Sequence, residues 1–405
     1  MPFDPAVVRA NFAVVERRAD HLATYFYAHL FAHNPGLRPL FPHDMSEQRD
    51  RLLAALTSIV LRLGEPERLT GYLRALGRDH RKFQAAPEHY PAVGASLVAA
   101  LRHCSGHSWT PATERAWTEA YAVIARVMTG AAAEVPPGTP AWWEAELVAR
   151  RRPAADIAVL TLTPMRDYPF VPGQYLTLSS PRVPRVWRPY SIANAPRRDG
   201  TLELHVRRVP GGRLSTALVG DIAPGELLRL GPPLGGAVLD PASDRPLLAV
   251  AGGTGWGQIR ALLEQLAVHA PGREVTLVLA ARNGTEQYGL PCVERLLTRL
   301  TRLRVLLAAP GPAEGRDGAV ALVRETLARE ALACGGDCSG RDVHLSGPPD
   351  LAPSLTALLT GLGADPDRIR HDPVPETFNR ARPLTSSEWF LDHRDVAWIN
   401  RTDLG

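Results

Sequence analysis

The spacing of apolar positions changes twice along this 405-residue chain, and each change predicts a different kind of structure. Up to about residue 133, apolar side chains recur every three to four positions, which is typical of amphipathic helices. Leu69, Leu73 and Leu76 fall on one such stripe, and His80 continues it. We therefore expect an all-α domain over residues 1–133.

A proline-rich segment then interrupts the helical pattern. Residues 135–140 contain three prolines and one glycine, a composition that cannot continue a helix. We place a linker at 134–141. Beyond it the period becomes two, as in residues 201–207, where apolar and polar side chains alternate. Several runs of this kind predict a small antiparallel β-barrel over residues 142–241.

The second change begins at about residue 245. Short, continuous apolar runs now alternate with helical stretches, which is typical of a parallel sheet covered on both faces. The runs are residues 247–251, 275–281, 303–308 and 343–345. They predict an α/β domain over residues 245–375. The polar tail at 376–405 contains no motif that indicates a role.

Composition excludes several partners. The net charge is only +4 and the basic residues are scattered, so we expect no nucleic-acid binding. The four cysteines are too few for a disulfide framework, and Cys334 and Cys338 are either loop thiols or part of a metal site. No apolar run reaches the ~20 residues of a membrane helix, and the N-terminus has no signal-like segment. We expect a cytoplasmic protein without a membrane span.

A short segment near the middle of the chain carries candidate chemistry. Arg188, Tyr190 and Ser191 place a cation, an aromatic ring and a hydroxyl at the end of an extended run. A flat, electron-rich, anionic ligand such as a flavin uses all three groups. The alternative is an ordinary strand end with a solvated arginine.

A glycine cluster follows the first apolar strand of the α/β domain. A strand, a glycine-rich turn and a helix N-terminus together form an anion site, which suits a pyrophosphate. The spacing in residues 252–257 is G-x-G-x-G rather than G-x-G-x-x-G, so its context has to supply the rest. Ser346 to Pro348 follow another strand, at the sheet edge where ligands bind. Arg282 alone does not choose between NADH and NADPH.

The order of these motifs resembles the ferredoxin-reductase superfamily, in which a FAD barrel precedes a nicotinamide-binding domain. Residues 172–175, 188–191, 211–216, 252–257 and 346–349 carry this resemblance. The superfamily usually has Cys at the position where this chain has Ser346. The resemblance implies contacts to FAD or the dinucleotide from Tyr175, Arg188, Pro189, Tyr190, Ser191, Gly212, Ser215, Thr216, Gly253, Thr254, Gly255, Trp256, Gly257, Gln258, Ser346, Gly347, Pro348 and Asp372.

The helical domain is similar to the globin of flavohaemoglobins. The similarity rests on the segments 25–27, 34–35, 87–94 and 116–121, together with the residues Phe41, Gln48, Leu52 and His80. A lone His on an apolar face is otherwise more often a core residue. The resemblance implies that His80 binds the haem iron, and that Tyr27 and Gln48 reach the face where O2 binds. It also implies that Phe41 and Leu52 border the haem and that Tyr90 acts from the proximal side.

The combined resemblance implies three modules, a globin, a FAD barrel and a nicotinamide domain, with haem b, FAD and NADH or NADPH as cofactors. The implied activity is that of a nitric oxide dioxygenase, in which NO and O2 give nitrate. Electrons then pass from the nicotinamide through FAD to haem, and we expect a monomer. Two alternatives stay open: a gas sensor or store kept reduced by its own reductase, and a reductase of another acceptor.

Four positions depart from the flavohaemoglobin pattern. Ala132 stands where a proximal glutamate is usual, and Glu134 lies two residues further on. Asp79 replaces the basic residue before the haem ligand, and Asp372 and Val374 replace Glu and Phe. We expect these departures to slow electron transfer from flavin to haem.

Overall fold

The computed structural model describes residues 3–280, 288–308, 315–333 and 338–372. These residues form two compact units, one ending at Ala141 and the other beginning at Trp142. No helix in these ranges is both long and apolar enough to cross a membrane. The predicted tail, Arg282, Cys334 and Val374 lie outside the described residues.

The first unit consists of helices and short 3-10 turns. Its helices are α1 (Pro5–Val15), α2 (Ala19–His33), α3 (Ser46–Leu61), α4 (Pro66–His80), α5 (His89–Ser105) and α6 (Pro111–Ala133). The side chain of Thr110 accepts a hydrogen bond from the Thr113 N–H, and proline at the first helical position already has the required φ. The predicted all-α domain is confirmed.

A buried tryptophan holds three of these helices together. Trp117 on α6 is only 1% exposed. Its indole N–H donates to Asn11 Oδ1 at 2.9 Å, and the Asn11 amide donates to Ser105 Oγ at 2.8 Å. Because each of these polar groups has a partner, burying them leaves no unsatisfied donor at the centre of the core.

Two glycines set the spacing of the last three helices. At Gly77, α4 crosses α6 in backbone contact, and a Cβ there would overlap the backbone of Met128. At Gly94, α5 packs beneath the ring of Tyr121 with equally little room. These contacts fix the position of α4, which ends at His80.

The second unit begins with a curled antiparallel sheet. Its strands are β1 (Trp143–Ala154), β2 (Ile157–Pro164), β3 (Tyr175–Ser180), β4 (Val183–Ser191), β5 (Leu202–Arg207) and β6 (Leu227–Leu230), in the order β4-β3-β6-β1-β2-β5. A bridge between Ile192 and Leu204 joins the two edges, so the sheet closes. The short helix α7 (Arg213–Thr216) follows β5. The predicted β-barrel is confirmed.

A parallel sheet follows in the order β11-β10-β7-β8-β9. Its strands are β7 (Leu247–Gly252), β8 (Val275–Ala280), β9 (Leu303–Ala308), β10 (Asp342–Ser346) and β11 (Ile369–Arg370). Its helices are α8 (Trp256–His269), α9 (Leu290–Leu297), α10 (Gly315–Ala333) and α11 (Leu351–Gly361). Each predicted apolar run coincides with a strand to within one residue, so the α/β prediction is confirmed.

Cys338 does not behave as an exposed loop thiol. It is 5% exposed and packs in the apolar cluster under the parallel sheet. Its backbone N–H donates to the Leu362 carbonyl at 2.8 Å. In the part of the chain that the structure describes, no three His, Cys, Asp or Glu side chains are grouped to hold a metal ion.

A buried ionic seam joins the barrel to α8. Arg260 on α8 contacts Glu203 of β5 at 2.5 Å and Glu264 at 2.8 Å. The second carboxylate oxygen of Glu264 accepts from the Ala195 N–H at 3.0 Å. Because α8 begins right after the glycine turn, this seam fixes the turn relative to the barrel.

Candidate functional site

His80, the predicted haem ligand, is the last residue of α4. Its Nδ1 lies 2.7 Å from the Leu76 carbonyl oxygen, which only a protonated ring nitrogen can bond. Nε2 is then the ring nitrogen with a free lone pair. Burial lowers the pKa of His80, which favours the neutral imidazole that a metal requires. The donor at this position therefore fits a haem iron.

An ion pair between Asp79 and Lys82 flanks His80 in the sequence. Lys82 is buried, and its Nζ is 2.5 Å from Asp79 Oδ1. The sequence had indicated Asp79 only as a departure, and it had not indicated Lys82. Lysine is seldom fully buried without a partner, so its spacing of three residues from Asp79 was the signal that could have found this pair.

Tyr27 and Gln48, the two residues expected near bound O2, lie in contact with each other. Tyr27 is 6% exposed, and its phenol O–H donates to the backbone carbonyl of Gln48 at 3.3 Å. This bond goes to the main-chain oxygen of Gln48. Burial raises the pKa of Tyr27, so the phenol stays protonated and keeps its O–H as a donor.

Apolar side chains near these residues are left half-covered. Phe41 meets the Tyr27 ring edge-on, with ring centres 5.6 Å apart. Phe41, Leu52, Leu76 and Val93 all pack against the helical core but are only partly buried. Surface of this kind fits a large, flat, apolar ligand, and it is the second observation that agrees with a haem.

The proximal tyrosine and the acidic residue behind it are separated. Tyr90 lies in the first turn of α5, and its backbone carbonyl accepts from the Tyr121 phenol at 2.7 Å. Among the described residues no hydrogen bond joins Tyr90 to His80. The carboxylate of Glu134 instead forms ion pairs with Arg74 and Arg78 on α4. Within the ranges that the structure describes, no hydrogen bond joins Glu134 to Tyr90, and we expect that Glu134 does not take the place of the glutamate missing at Ala132.

The predicted flavin contacts gather at the end of two paired strands. In the register of β3 and β4, Tyr175 lies opposite Ser191 and Leu178 lies opposite Arg188. The Arg188 guanidinium donates to the Trp187 carbonyl at 2.9 Å. Burial lowers the pKa of Arg188 and raises that of the Tyr190 phenol. One end of the β3–β4 pair thus carries a cation, two aromatic rings and a hydroxyl, which belong to Arg188, Tyr175, Tyr190 and Ser191. Pro189 lies between Arg188 and Tyr190 in the same strand.

The turn at Gly212 is held by the hydroxyl of Ser215. Ser215 Oγ donates to the Gly212 carbonyl at 3.0 Å and accepts from the Val209 N–H at 3.1 Å. A Cβ at Gly212 would lie 2.7 Å from that hydroxyl, so the position requires glycine. Ser215 thus shapes the turn, and Thr216 closes α7 behind it.

The two predicted dinucleotide segments touch each other. Gly253 to Gly255 form a 3-10 turn after β7, and Gly253 has a φ of 54°. A Cβ at Gly255 would lie 2.6 Å from the Gly347 nitrogen, and one at Gly252 would lie 2.9 Å from Pro348. Ser346 pairs with Ala251 in the sheet. These glycines let the two segments approach closely at the start of a 14-residue helix, and a glycine turn at a helix N-terminus fits a pyrophosphate.

The residues after the turn face inwards. Trp256 is 2% exposed and packs against Gly289. Gln258 donates from Nε2 to the Gly173 carbonyl at 2.6 Å and to Asp372 Oδ2 at 2.5 Å. The other oxygen, Asp372 Oδ1, is buried and has no hydrogen-bond partner among the described residues. A buried carboxylate oxygen of this kind, beside the predicted flavin contacts, fits a polar ring edge.

Two β5 side chains that the motifs did not include face the glycine turn. A Cβ at Gly253 would lie 3.2 Å from Arg207 Nη2, and one at Gly257 would lie 3.1 Å from His205 Nδ1. His205 Nδ1 is also 3.1 Å from the phenol oxygen of Tyr288, a residue that lies just before α9 of the α/β domain. The alternation in β5 was the available signal, because it puts Glu203, His205 and Arg207 on the face opposite the barrel core.

Known proteins match this arrangement over nearly its whole length. Residues 24–128 match the Globin family model, and residues 144–238 match the Oxidoreductase FAD-binding domain. A flavohemoprotein of Pseudomonas putida is 30% identical over 384 residues, 91% of this chain and 96% of the relative. One from Chromobacterium violaceum is 28% identical over 397 residues, with the same coverage. The crystal structure of flavohemoglobin from Malassezia yamatoensis with bound FAD and heme has a TM-score of 0.72 at 20% identity, covering 92% of this chain and 98% of that one.

The fold and its three groups of residues define a single-chain oxidoreductase in which a globin precedes a flavin reductase. The sequence prediction of this class is confirmed. The chain belongs to the flavohaemoprotein, or flavohaemoglobin, family.

Proposed function

We propose that this flavohaemoprotein is an NAD(P)H-dependent nitric oxide dioxygenase, which combines NO with O2 to give nitrate. The observation that carries the proposal is the tautomer of His80, whose Nδ1 lies 2.7 Å from the Leu76 carbonyl, so that Nε2 is left for iron. The buried phenol of Tyr27, a candidate donor to O2, supports it. When bound, haem supplies the iron at which the gases react, and FAD divides the electron pair of a hydride into single electrons.

In the globin, His80 is the proposed iron ligand through Nε2, and the Leu76 carbonyl holds the ring in the required tautomer. Tyr27 is the proposed donor to the partly negative oxygen of O2. Gln48 accepts a hydrogen bond from that phenol through its backbone carbonyl, and its amide is proposed as a further donor to the ligand. Phe41 and Leu52 narrow the site.

In the reductase, the proposed FAD contacts are those gathered at the ends of β3 and β4, and Arg188 supplies the positive charge. The turn at Gly253–Gly255 and the segment at Ser346–Pro348 are the proposed site for NADH or NADPH. We propose domain limits of 1–133, 142–241 and 245–375, with a linker at 134–141. The ends of α6 at Ala133 and of β6 at Leu230 support these limits.

Electron counting gives a sharp test of the proposal. One hydride carries two electrons and each NO requires one, so each NAD(P)H should remove two molecules of NO. The reduced, oxygenated protein is mixed with NO in a stopped-flow instrument, and NAD(P)H oxidation and nitrate are measured together. A gas sensor would consume NAD(P)H slowly even with both gases present. A reductase of another acceptor would keep its NAD(P)H oxidation after haem is removed.

A further inference from the structure

One amide group connects three parts of the reductase. Gln258, in the first turn of α8, is 3% exposed. Its Nε2 donates both of its hydrogens, one to the Gly173 carbonyl in the barrel and one to Asp372 Oδ2 after β11. The carboxyl group of Asp372 is therefore held at a fixed place relative to the barrel.

The free oxygen of Asp372 points to an absent partner. Oδ1 is buried and, in the described part of the chain, accepts no hydrogen bond. A Cβ at Gly235 would lie 2.6 Å from Oδ1 and 2.9 Å from the Tyr175 ring. Tyr175 is paired with Ser191 across β3 and β4. Oδ1 thus lies beside the proposed flavin contacts, where a polar ring edge would complete its bonding.

The surroundings of this carboxyl favour a proton on it. Burial raises the pKa of Asp372 to about 7, against the opposing effects of the Gln258 amide and the Ala237 backbone. The neighbouring groups are the neutral Gln258, the phenol of Tyr175, and His371, whose Nδ1 is 3.4 Å from the Asp372 carbonyl. Because burial is the largest of these influences and disfavours the charged form, the carboxyl keeps a proton up to about neutral pH.

We propose that Gln258 is a positioning residue for the flavin: it holds Asp372 by Oδ2, so that Oδ1 donates its proton in a hydrogen bond to an acceptor atom at the edge of the bound flavin ring. This inference rests on the FAD site of the proposed function and not on the reaction with NO. Above neutral pH the ionised Oδ1 repels the same ring edge, so the affinity for FAD falls.

The test measures the dissociation constant of FAD across neutral pH, on the full-length protein without NAD(P)H or NO. In the unmodified protein we expect tight binding in mild acid and weaker binding in mild alkali. Asp372→Asn mimics the protonated carboxyl, since its oxygen can accept from Gln258 and its amide can donate to the ring. This variant should bind FAD tightly at every pH.

Gln258→Ala leaves Asp372 unheld and should weaken FAD binding in mild acid by roughly five- to tenfold, the loss of one hydrogen bond. The remaining pH dependence should move to higher pH, because the amide no longer stabilises the carboxylate. Gln258→Met keeps the side-chain volume and should behave in the same way if Gln258→Ala folds poorly. Glu264→Gln is the matched control, since it loosens the seam on α8 without contacting Asp372.

Two results would overturn the inference. One is an Asp372→Asn variant that keeps the pH profile of the unmodified protein. The other is a Gln258→Met variant that binds FAD as tightly as the Glu264→Gln control. If the unmodified protein binds no FAD at any pH, the proposed function itself fails, which is a separate outcome.

Discussion

At position 80, a single hydrogen bond decides which ring nitrogen is available. The Leu76 carbonyl accepts a hydrogen bond from Nδ1–H of His80, so Nε2 is the nitrogen available for the proposed bond to iron. His80→Ala should therefore abolish stable haem binding, because a methyl group cannot ligate iron. NADH-dependent reduction of an artificial dye should persist, since it needs only the reductase. His33→Ala, an exposed change in the same unit, is the control, and an unaltered haem spectrum in His80→Ala would refute the assignment.

The phenol of Tyr27 is the donor that we expect to retain O2. Tyr27→Phe removes the O–H and keeps the ring that packs between Phe31 and Phe41. A hydrogen bond to a charged oxygen contributes about 1.5–3 kcal/mol, so O2 should dissociate roughly ten- to a hundredfold faster. Laser-flash measurement of the dissociation rate checks this. Tyr25→Phe is the control, because Tyr25 stacks on His103 instead. An O2 dissociation rate within about twofold of that of the unmodified protein would show that Tyr27 is not the group that retains O2.

The resemblance to flavohaemoglobins implied that Tyr27 and Gln48 both reach the face where O2 binds, and the structure brings these two residues into contact. It did not predict that the bond uses the backbone of Gln48. The pairing of Lys82 with Asp79 was also not foreseen. Both details depend on how side chains share a limited interior space, and that is decided by packing rather than by periodicity.

Among the elements, the end of α6 shows how a departure from the family pattern is absorbed. Glu134 forms ion pairs with Arg74 and Arg78 of α4, and in the described part of the chain no acidic side chain is hydrogen-bonded to Tyr90. We expect Ala132→Glu to speed reduction of haem by the flavin and to leave flavin reduction unchanged, because a carboxylate there can strengthen the proximal hydrogen bonds. Stopped-flow spectra at the haem and flavin bands measure both rates.

Glu134→Ala provides the comparison for that change. It removes two half-exposed ion pairs, which contribute about 0–1 kcal/mol, so haem reduction should keep its rate. Slower haem reduction in Glu134→Ala, with no effect of Ala132→Glu, would show that Glu134 is the relay acid after all.

The paired ends of β3 and β4 lead to a prediction for FAD. Arg188→Ala removes the cation at this corner, so FAD should be lost during gel filtration while haem is retained. Arg182 is the control, because it also lies by the β3–β4 hairpin but pairs with Glu226 at the surface. If Arg188→Ala keeps full flavin occupancy and the Arg182→Ala control does too, the arginine at position 188 is structural.

The strands of the reductase were predictable because continuous apolar runs mark strands covered on both faces. The closure of the barrel by Ile192 and Leu204 was not predictable, since it joins segments that no local pattern connects. The seam between Glu203 and Arg260 was missed for the same reason. Its members are 57 positions apart and carry no motif.

For the reductase as a whole, buried histidine links stability to acid. Burial lowers the pKa of His205 to about 3, with the charge of Arg260 as the next cause. The unfolded chain binds a proton at this histidine below about pH 6.5, whereas the folded state does not, so the contribution of His205 to the free energy of unfolding should drop by about 2 kcal/mol between pH 7 and pH 5. Urea unfolding at the two pH values measures this drop.

His205→Gln should make the decline with acid shallower, because glutamine does not titrate. His269→Gln, an exposed change on α8, should leave the decline as it is in the unmodified protein. A His205→Gln protein with an unaltered acid response would mean that His205 accepts its proton without unfolding.

The crossing of α4 and α6 at Gly77 also bears on how the molecule is made. The helix that presents His80 rests on the backbone of Met128, about 50 positions later in the chain. During translation, the helix that carries His80, the proposed iron ligand, therefore cannot pack in its final position until α6 has left the ribosome. A haem bound before that point would meet an incomplete binding site. Translation at 5–20 residues per second then leaves roughly 10 to 50 s while the reductase is still being synthesised. The globin can be loaded with haem in that interval, before its electron supply exists.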